Sequence, residues 1–152
     1  MESRIALEKL RHICSRQEKC PADVTALMKR WDVDHEFHAE IIDKLRDEGF
    51  IDEYRYASAF VKDKCRFDHW GIIKIRYFLH QKGISGKVAE TAVSGIDRDE
   101  YRNMVSRELS RKQKTLKGSP YEIRGKLIRY GLSRGYEMEI MRDFLGGDSM
   151  QE

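Results

Sequence analysis

Three copies of one pattern recur in this chain at a spacing of about fifty residues. They are clearest in P-A-D-V-T-A-L-M-K-R-W-D-V from Pro21, I-K-I-R-Y-F-L-H-Q-K-G-I from Ile73 and G-K-L-I-R-Y-G-L-S-R-G-Y from Gly125. With Val33, Ile84 and Tyr136 in register, other apolar positions fall into line: Val24, Ile75 and Leu127; Leu27, Phe78 and Tyr130; Phe37, Val88 and Ile140; Ile41, Ala92 and Phe144. A fixed period of this size marks repeated supersecondary units, each needing a neighbour to bury its apolar face. The pattern predicts an extended binding surface rather than a pocket.

Each unit reads as helix. Residues 3–19 open on Ser3 as a candidate cap and place Leu7, Leu10 and Cys14 at helical spacing. Pro21 suits the first turn of a second helix, ending near Trp31, because its missing N–H is not needed there. Asp34 is placed to cap a third helix with Phe37, Ile41, Ile42 and Leu45 inward, and Gly49 to stop it. In the second unit Asp52 caps a helix with Tyr56, Ala57, Ala59, Phe60 and Cys65 inward. A break at residues 67–71 precedes a helix with Ile72, Ile75, Phe78 and Leu79 on one face. Lys82-Gly83-Ile84 reads as a stop followed by an apolar anchor, and Ser85 as the cap of a helix carrying Val88 and Val93. The third unit repeats the plan. A helix runs from Asp97 to Lys114, Ser119-Pro120 opens another, Arg134-Gly135-Tyr136 closes it, and a last helix carries Ile140, Met141 and Phe144. No alternating run bounded by turn residues suggests a strand. The expected fold is all-α: an elongated array of three tandem three-helix units over 1–50, 51–96 and 97–146, with 147–152 as a flexible tail.

Hydrophobic residues make up 40% of the 152 and charged residues 36%, so each unit commands only a thin core. No run approaches the roughly 18 apolar residues of a membrane span. The charged start, M-E-S-R-I-A-L-E-K-L, lacks an apolar signal region, which makes the cytoplasm the expected compartment. Cys14, Cys20 and Cys65 form neither a disulfide framework nor a zinc knuckle and read as reduced packing residues. Charge is uneven. Residues 1–97 balance 17 basic against 17 acidic side chains, residues 98–134 hold 11 against 4 (net +7), and residues 135–152 hold 1 against 5 (net −4). The basic block, including Arg107, Arg111, Lys112, Lys114, Lys117, Arg124, Lys126, Arg129 and Arg134, would attract phosphates or an acidic protein surface, or simply form a solvated face.

Enzyme signatures are missing: no phosphate-binding glycine loop, no dinucleotide fingerprint and no H-E-x-x-H occur. His35 and His38 share a predicted helix but have no third ligand at a metal-binding spacing, and no cofactor is implied. Trp70 is the aromatic of interest. It lies beside Gly71 with Arg66, Lys74 and Arg76 close in sequence, so it could stack on a base, anchor a protein contact or staple its own helix entry. Tyr77 and Tyr130 lie between core and basic faces, where their hydroxyls would snorkel.

The run from Lys44 to Lys64, K-L-R-D-E-G-F-I-D-E-Y-R-Y-A-S-A-F-V-K-D-K, resembles the signature of the RecX family of regulatory proteins. So do W-G-I-I-K-I-R-Y-F-L-H-Q-K-G-I from Trp70 and S-P-Y-E-I-R-G-K-L-I-R-Y-G-L-S-R-G-Y from Ser119, and the resemblance spans about residues 5–145. It implies an elongated array of three-helix units that binds the RecA recombinase filament on single-stranded DNA and limits its growth, ATPase and strand exchange. It also implies a part in DNA repair and the SOS response, and no catalytic residues. The family signature falls on Gly49, Asp52, Arg55, Ala57, Phe60, Val61, Gly71, Ile75, Lys82 and Gly83, mostly caps, stops and core, while Ile72 departs from the Pro or basic residue of many relatives. Its charged matches make Arg55, Lys74, Arg76 and Lys82 contact candidates. With the residues above, the expected partner-binding set is Arg55, Arg66, Trp70, Lys74, Arg76, Lys82, Arg107, Arg111, Lys112, Lys114, Lys126 and Arg129. The expected protein is a monomer that meets single-stranded DNA directly or through the filament. A helix-turn-helix-like protein acting directly on DNA is the alternative, with the breaks at Trp31-Asp32-Val33 and Lys82-Gly83-Ile84 as its turns.

Overall fold

A computed structural model describes residues 1–146. The expected tail at 147–152 lies outside the described residues. Nine α-helices and one 3₁₀ turn make up the described chain, with no strand among the described residues. The helices are α1 (Ser3–Arg16), α2 (Pro21–Arg30), α3 (His38–Asp47), α4 (Glu53–Arg66), α5 (Ile72–Gln81), α6 (Gly86–Val93), α7 (Arg98–Gln113), α8 (Pro120–Arg134) and α9 (Met138–Leu145).

The repeated pattern has a structural cause in the way helices end. At Asp32, Gly49, Gly83 and Gly135 the backbone takes a positive φ, of 54°, 80°, 77° and 88°. One residue later the chain donates back across the last turn: Val33 N to Met28 O at 2.9 Å, Phe50 N to Leu45 O at 2.8 Å, Ile84 N to Leu79 O at 3.0 Å and Tyr136 N to Gly131 O at 2.9 Å. These are left-handed stops that satisfy carbonyls the helix leaves unpaired. The apolar residue after the stop then folds inward, and Val33, Ile84 and Tyr136 are all buried. Each such side chain contributes roughly 1.5–3 kcal/mol of burial, so a motif that fixes both the stop and the anchor recurs at each unit.

Helix starts follow simple chemistry too. Asp97 accepts from Glu100 N at 3.0 Å, Ser119 from Glu122 N at 3.2 Å, Asp52 from Arg55 N at 3.0 Å and Ser85 from Val88 N at 3.3 Å. Pro120 and Pro21 occupy first helical positions, as expected. The start of α1 differs from expectation. Glu2, not Ser3, is the cap residue, and it makes no side-chain capping bond. The helix also ends at Arg16 rather than near residue 19. Asp34 caps the 3₁₀ turn His35–Phe37, which leads into α3, rather than α3 itself.

By packing, the described chain forms two compact units: residues 1–59 with 79–91, and residues 60–78 with 92 onward. In the first unit α1 and α2 both pack on α3. Its core gathers Ala6, Leu7, Leu10, Cys14, Val24, Met28, Val33, Ile41, Leu45 and Ile51, with Trp31, Phe37 and Phe50 partly buried against it. In the second unit α7, α8 and α9 pack against one another. Tyr101, Val105, Leu109, Leu127, Tyr136 and Met141 are buried there, as are Val61, Ile72 and Ile75. Close approaches shape this unit. A Cβ on Gly131 would lie 2.1 Å from Met141 Sδ, and one on Gly71 would lie 2.1 Å from the Gly135 carbonyl oxygen. Gly71 N donates to Arg134 O at 2.7 Å and Ile73 N to Gly135 O at 3.1 Å, which brings the entry of α5 and the exit of α8 into backbone contact.

All three cysteines are free, with Cys14 and Cys20 buried and Cys65 half-buried. Burial pushes the Cys65 thiol up to about 11, far from a reactive thiolate. Among the described residues no helix is long and apolar enough to cross a membrane.

Candidate functional site

The candidate residues separate into those engaged by their own fold and those presented outward. Arg55 and Lys82, both in the first unit, are engaged. The Arg55 guanidinium pairs with Glu18 and donates from Nη2 to Gly49 O at 2.9 Å, which ties down the stop that ends α3. The pair with Glu18 raises the Arg55 pKa. Lys82 Nζ meets Asp23 Oδ1 at 2.5 Å, and the second Asp23 oxygen accepts from Cys20 N at 3.2 Å at the start of α2. Burial pushes the Asp23 carboxyl up, yet the Lys82 ammonium and the Cys20 amide outweigh it and hold the group below its ordinary range. The same bond to Asp23 raises Lys82. Both cations are exposed at their outer edges, but their bonding is that of struts holding distant segments together.

The second unit presents the basic block. Arg107 and Arg111 on α7 and Lys114 at its C-terminal cap follow one another at helical spacing and are exposed, as are Lys126 and Arg129 on α8. Arg111 Nη2 donates to Glu108 Oε1 at 2.7 Å, and Glu108 is itself 5% exposed. This pair holds one edge of the Arg111 guanidinium while the arginine side chain stays 69% exposed. Lys112 lies 5.2 Å from the centre of the Tyr130 ring, a cation–π contact from α7 to α8. Lys126 Nζ donates to Lys117 O at 3.2 Å. Two other cations of the block have internal partners. Arg124 Nη1 donates to Leu145 O at 2.6 Å, and Arg134 donates to Asp68 O. The outward set is therefore smaller than the charge run.

Trp70 sits in a cluster of rings and lysines within the same unit. Its ring centre is 5.0 Å from that of Phe78 and 6.3 Å from that of Phe60, the latter edge-on. Phe78 in turn meets Tyr77 at 5.2 Å, nearly perpendicular. Lys64 and Lys74 place their ammonium nitrogens 4.7 and 4.5 Å from the Trp70 ring centre. Phe78 is not the core residue that its periodicity suggests. The buried stripe of α5 is Ile72, Ile75 and Leu79, and Phe78 lies at its edge, tilted against Trp70 and 38% exposed. Ala59, Phe60 and Cys65 on α4 are likewise half-buried rather than inward, while Tyr56, Ala57 and Val61 carry its core contacts. Arg66 and Arg76 are exposed in the same stretch of chain.

A buried polar chain in the second unit has no signal in the sequence. Ile72 N donates to the Tyr101 hydroxyl at 3.1 Å, and that hydroxyl donates to Glu137. Burial, reinforced by Glu137, drives the Tyr101 phenol strongly upward, so it stays protonated. Tyr136, pushed up to about 12 by burial, donates to His69 O at 2.7 Å. The partners are 29 to 67 residues apart, and no local periodicity connects them. His35 and His38 stand with ring centres 5.2 Å apart, and the buried His38 uses Nε2 on Val33 O at 3.0 Å. Among the described residues no group of three or more His, Cys, Asp or Glu side chains could hold a metal ion.

Two family models match the chain: the second three-helix domain of RecX over residues 52–93 and the third three-helix domain of RecX over residues 99–145. Together they span more than half of the sequence. A regulatory protein RecX from Clostridium botulinum (strain Alaska E43 / Type E3) is 38% identical over 114 residues, covering 72% of this chain and 52% of that protein. The chain thus spans about half the length of the curated relatives it matches. A crystal structure of a regulatory protein RecX superposes with a TM-score of 0.87 at 20% identity, over 96% of this chain and 73% of the other. A crystal structure of RecX from Lactobacillus salivarius gives 0.78 at 19% identity, over 97% of each. The structures share the fold, an all-α chain of tandem three-helix domains, and the sequence matches carry the relationship further: the chain belongs to the RecX family of regulatory proteins.

Proposed function

We propose that this protein is a binding regulator of a RecA recombinase, one that engages the filament RecA forms on single-stranded DNA and limits its growth, ATPase and strand exchange. Membership in a regulatory family supports a protein partner, and the outward cations of α7 and α8 carry the reading of the surface. Arg107, Arg111, Lys114, Lys126 and Arg129 form a concentration of positive charge suited to DNA phosphates or to acidic side chains on the recombinase. A protein-coated strand repeats the same chemistry along its length, so tandem units can add weak contacts into one stable engagement. On this reading the protein works in the cytoplasm as a monomer of three three-helix repeats, 1–50, 51–96 and 97–146, and catalyses no reaction itself.

The test is the single-stranded-DNA-dependent ATPase of RecA from the same organism, titrated with the protein. Loss of activity at amounts well below one per recombinase monomer is expected of a regulator acting at filament ends or during nucleation. Full activity with intact filaments by electron microscopy would overturn the proposal. A footprint on a specific duplex sequence would point instead to a direct DNA-binding protein.

A further inference from the structure

The outer side of α8 carries an apolar stripe that the fold does not bury. Tyr121, Gly125, Ile128 and Leu132 follow one another at helical spacing and so share one face. The helix packs on α7 and α9, and Leu127 and Gly131 are its buried positions. On the stripe Tyr121 is 85% and Leu132 51% exposed, and Ile128 is half-buried. Gly125 stands near the middle. Glycine is the poorest helix former after proline, yet this one lies in the helix interior and takes no positive φ. A Cβ there would meet only Arg129 Nη1, at 3.7 Å, an ordinary contact. Gly131 is different, because its Cβ would strike Met141 Sδ. Packing within the described chain therefore requires a glycine at 131 but not at 125.

We infer that this stripe docks a second copy of the chain, α8 against α8 in antiparallel order. The face is complementary to itself. Turned end for end and laid on its twin, it sets Tyr121 opposite Leu132 and Gly125 opposite Ile128, because both pairs are centred on one point of the helix. Ile128 then fills the space that Gly125 leaves, twice by symmetry, and the two backbones approach closely. Glu122 and Arg129 lie seven residues apart beside the stripe, so each meets its opposite charge on the other copy. A second copy holds all of these features already in register, whereas an unrelated helix would have to supply them afresh. Two helices of 15 residues bury less than the roughly 1,200 Å² at the low end of a standard interface. The pairing is accordingly weak, with a dissociation constant on the order of 100 µM. Its role rests on the filament reading. Arg129 is among the cations proposed to face the filament, so the paired form is a resting state from which dilution or the filament releases the working monomer.

The test is sedimentation velocity of the full chain over a concentration series. No recombinase or DNA is present, so its failure and that of the ATPase experiment are separate results. The parent should pass from monomer to dimer at about 100 µM. Leu132→Glu, at an exposed position, should weaken dimerisation about tenfold. Gly125→Ala should weaken it too while raising the melting temperature of the monomer, since alanine favours the helix. A glycine without a docking role would give the higher melting temperature alone. Glu122→Arg and Arg129→Glu should each weaken the dimer, and an equimolar mixture of the two should restore it by setting opposite charges face to face. A parent that stays monomeric up to about ten times the expected dissociation constant would overturn the inference. So would unchanged dimerisation in both Leu132→Glu and Gly125→Ala, or a mixture that pairs no better than its components. Should Glu122→Arg fail to fold for want of its capping bond to Ser119 N, the parent and the other two variants decide by the same outcomes.

Discussion

At Asp32 a carboxylate residue occupies the backbone position that Gly83 and Gly135 hold in the later repeats. Its φ of 54° is one that L-residues other than Asn and Asp rarely adopt, since Cβ crowds the following carbonyl. The three sites are equivalent in the repeat yet unequal in strain, which makes them a matched experiment. Gly83→Ala should lower unfolding free energy by about 1 kcal/mol, a cost of conformation alone because a Cβ there meets nothing within 4 Å. Asp32→Gly should shift stability the other way, by a fraction of that amount. Urea titrations of both variants check this, and no change in either would remove the left-handed stop as the reason for the motif. Gly71 and Gly135 answer to a different force, since a Cβ on either would meet another backbone segment closer than 3 Å. From sequence, Gly83 and Gly135 are legible as stops. Gly71 is not legible as a close approach, because its partner is 64 positions away.

Among the elements, α2 shows how a helix start becomes a long-range tie. Asp23 closes the first turn through the Cys20 amide and reaches Lys82, 59 residues further along the chain. Because the folded Asp23 pKa lies below its ordinary 3.8, the tie contributes stability above pH 3.8 and loses it as the pH falls through the lower folded value. Lys82 is raised above 10.5, so its contribution is complete below pH 10.5 and is lost only as the pH rises through that higher folded value. The stability difference between the parent and Asp23→Asn, measured by denaturant midpoint, should be constant near neutrality and shrink progressively as the pH falls below 3.8. A difference that persists in acid would mean that the charge pair contributes nothing. Capped elements such as α7 and α8 are legible from sequence because Asp97 and Ser119 act within three residues of themselves. The edge of α5 is not, because a 3.6-residue period cannot separate a buried ring from one leaning on Trp70 at the rim.

At the scale of the molecule, function is proposed to follow from where positive charge is concentrated at the surface. Changing Arg111, Lys112, Lys114 and Lys126 together to Glu should weaken binding to RecA filaments on single-stranded DNA. If these side chains meet phosphates, it should also flatten the salt dependence, by about 0.7 in log–log slope for each phosphate no longer neutralised. Unchanged affinity at physiological salt would remove the α7–α8 block from the interface. The sequence alone determined the helical class, the three-part period, most caps and stops, and the family, because helix periodicity, left-handed stops and N-caps act within one or two turns. Only the tertiary structure decided which cations hold distant segments together, and Lys126, bonded to Lys117 O nine residues away yet exposed, stands between the two groups. Arg55, Lys82, Arg124 and Arg134 resemble their neighbours in a charge count, yet each is bonded across 6 to 66 residues to a carboxylate or a carbonyl. Tertiary packing likewise brought Trp70, Phe78 and two lysines into one cluster. Both outcomes depend on distances between segments far apart in the chain, and those are set by packing rather than by any local pattern.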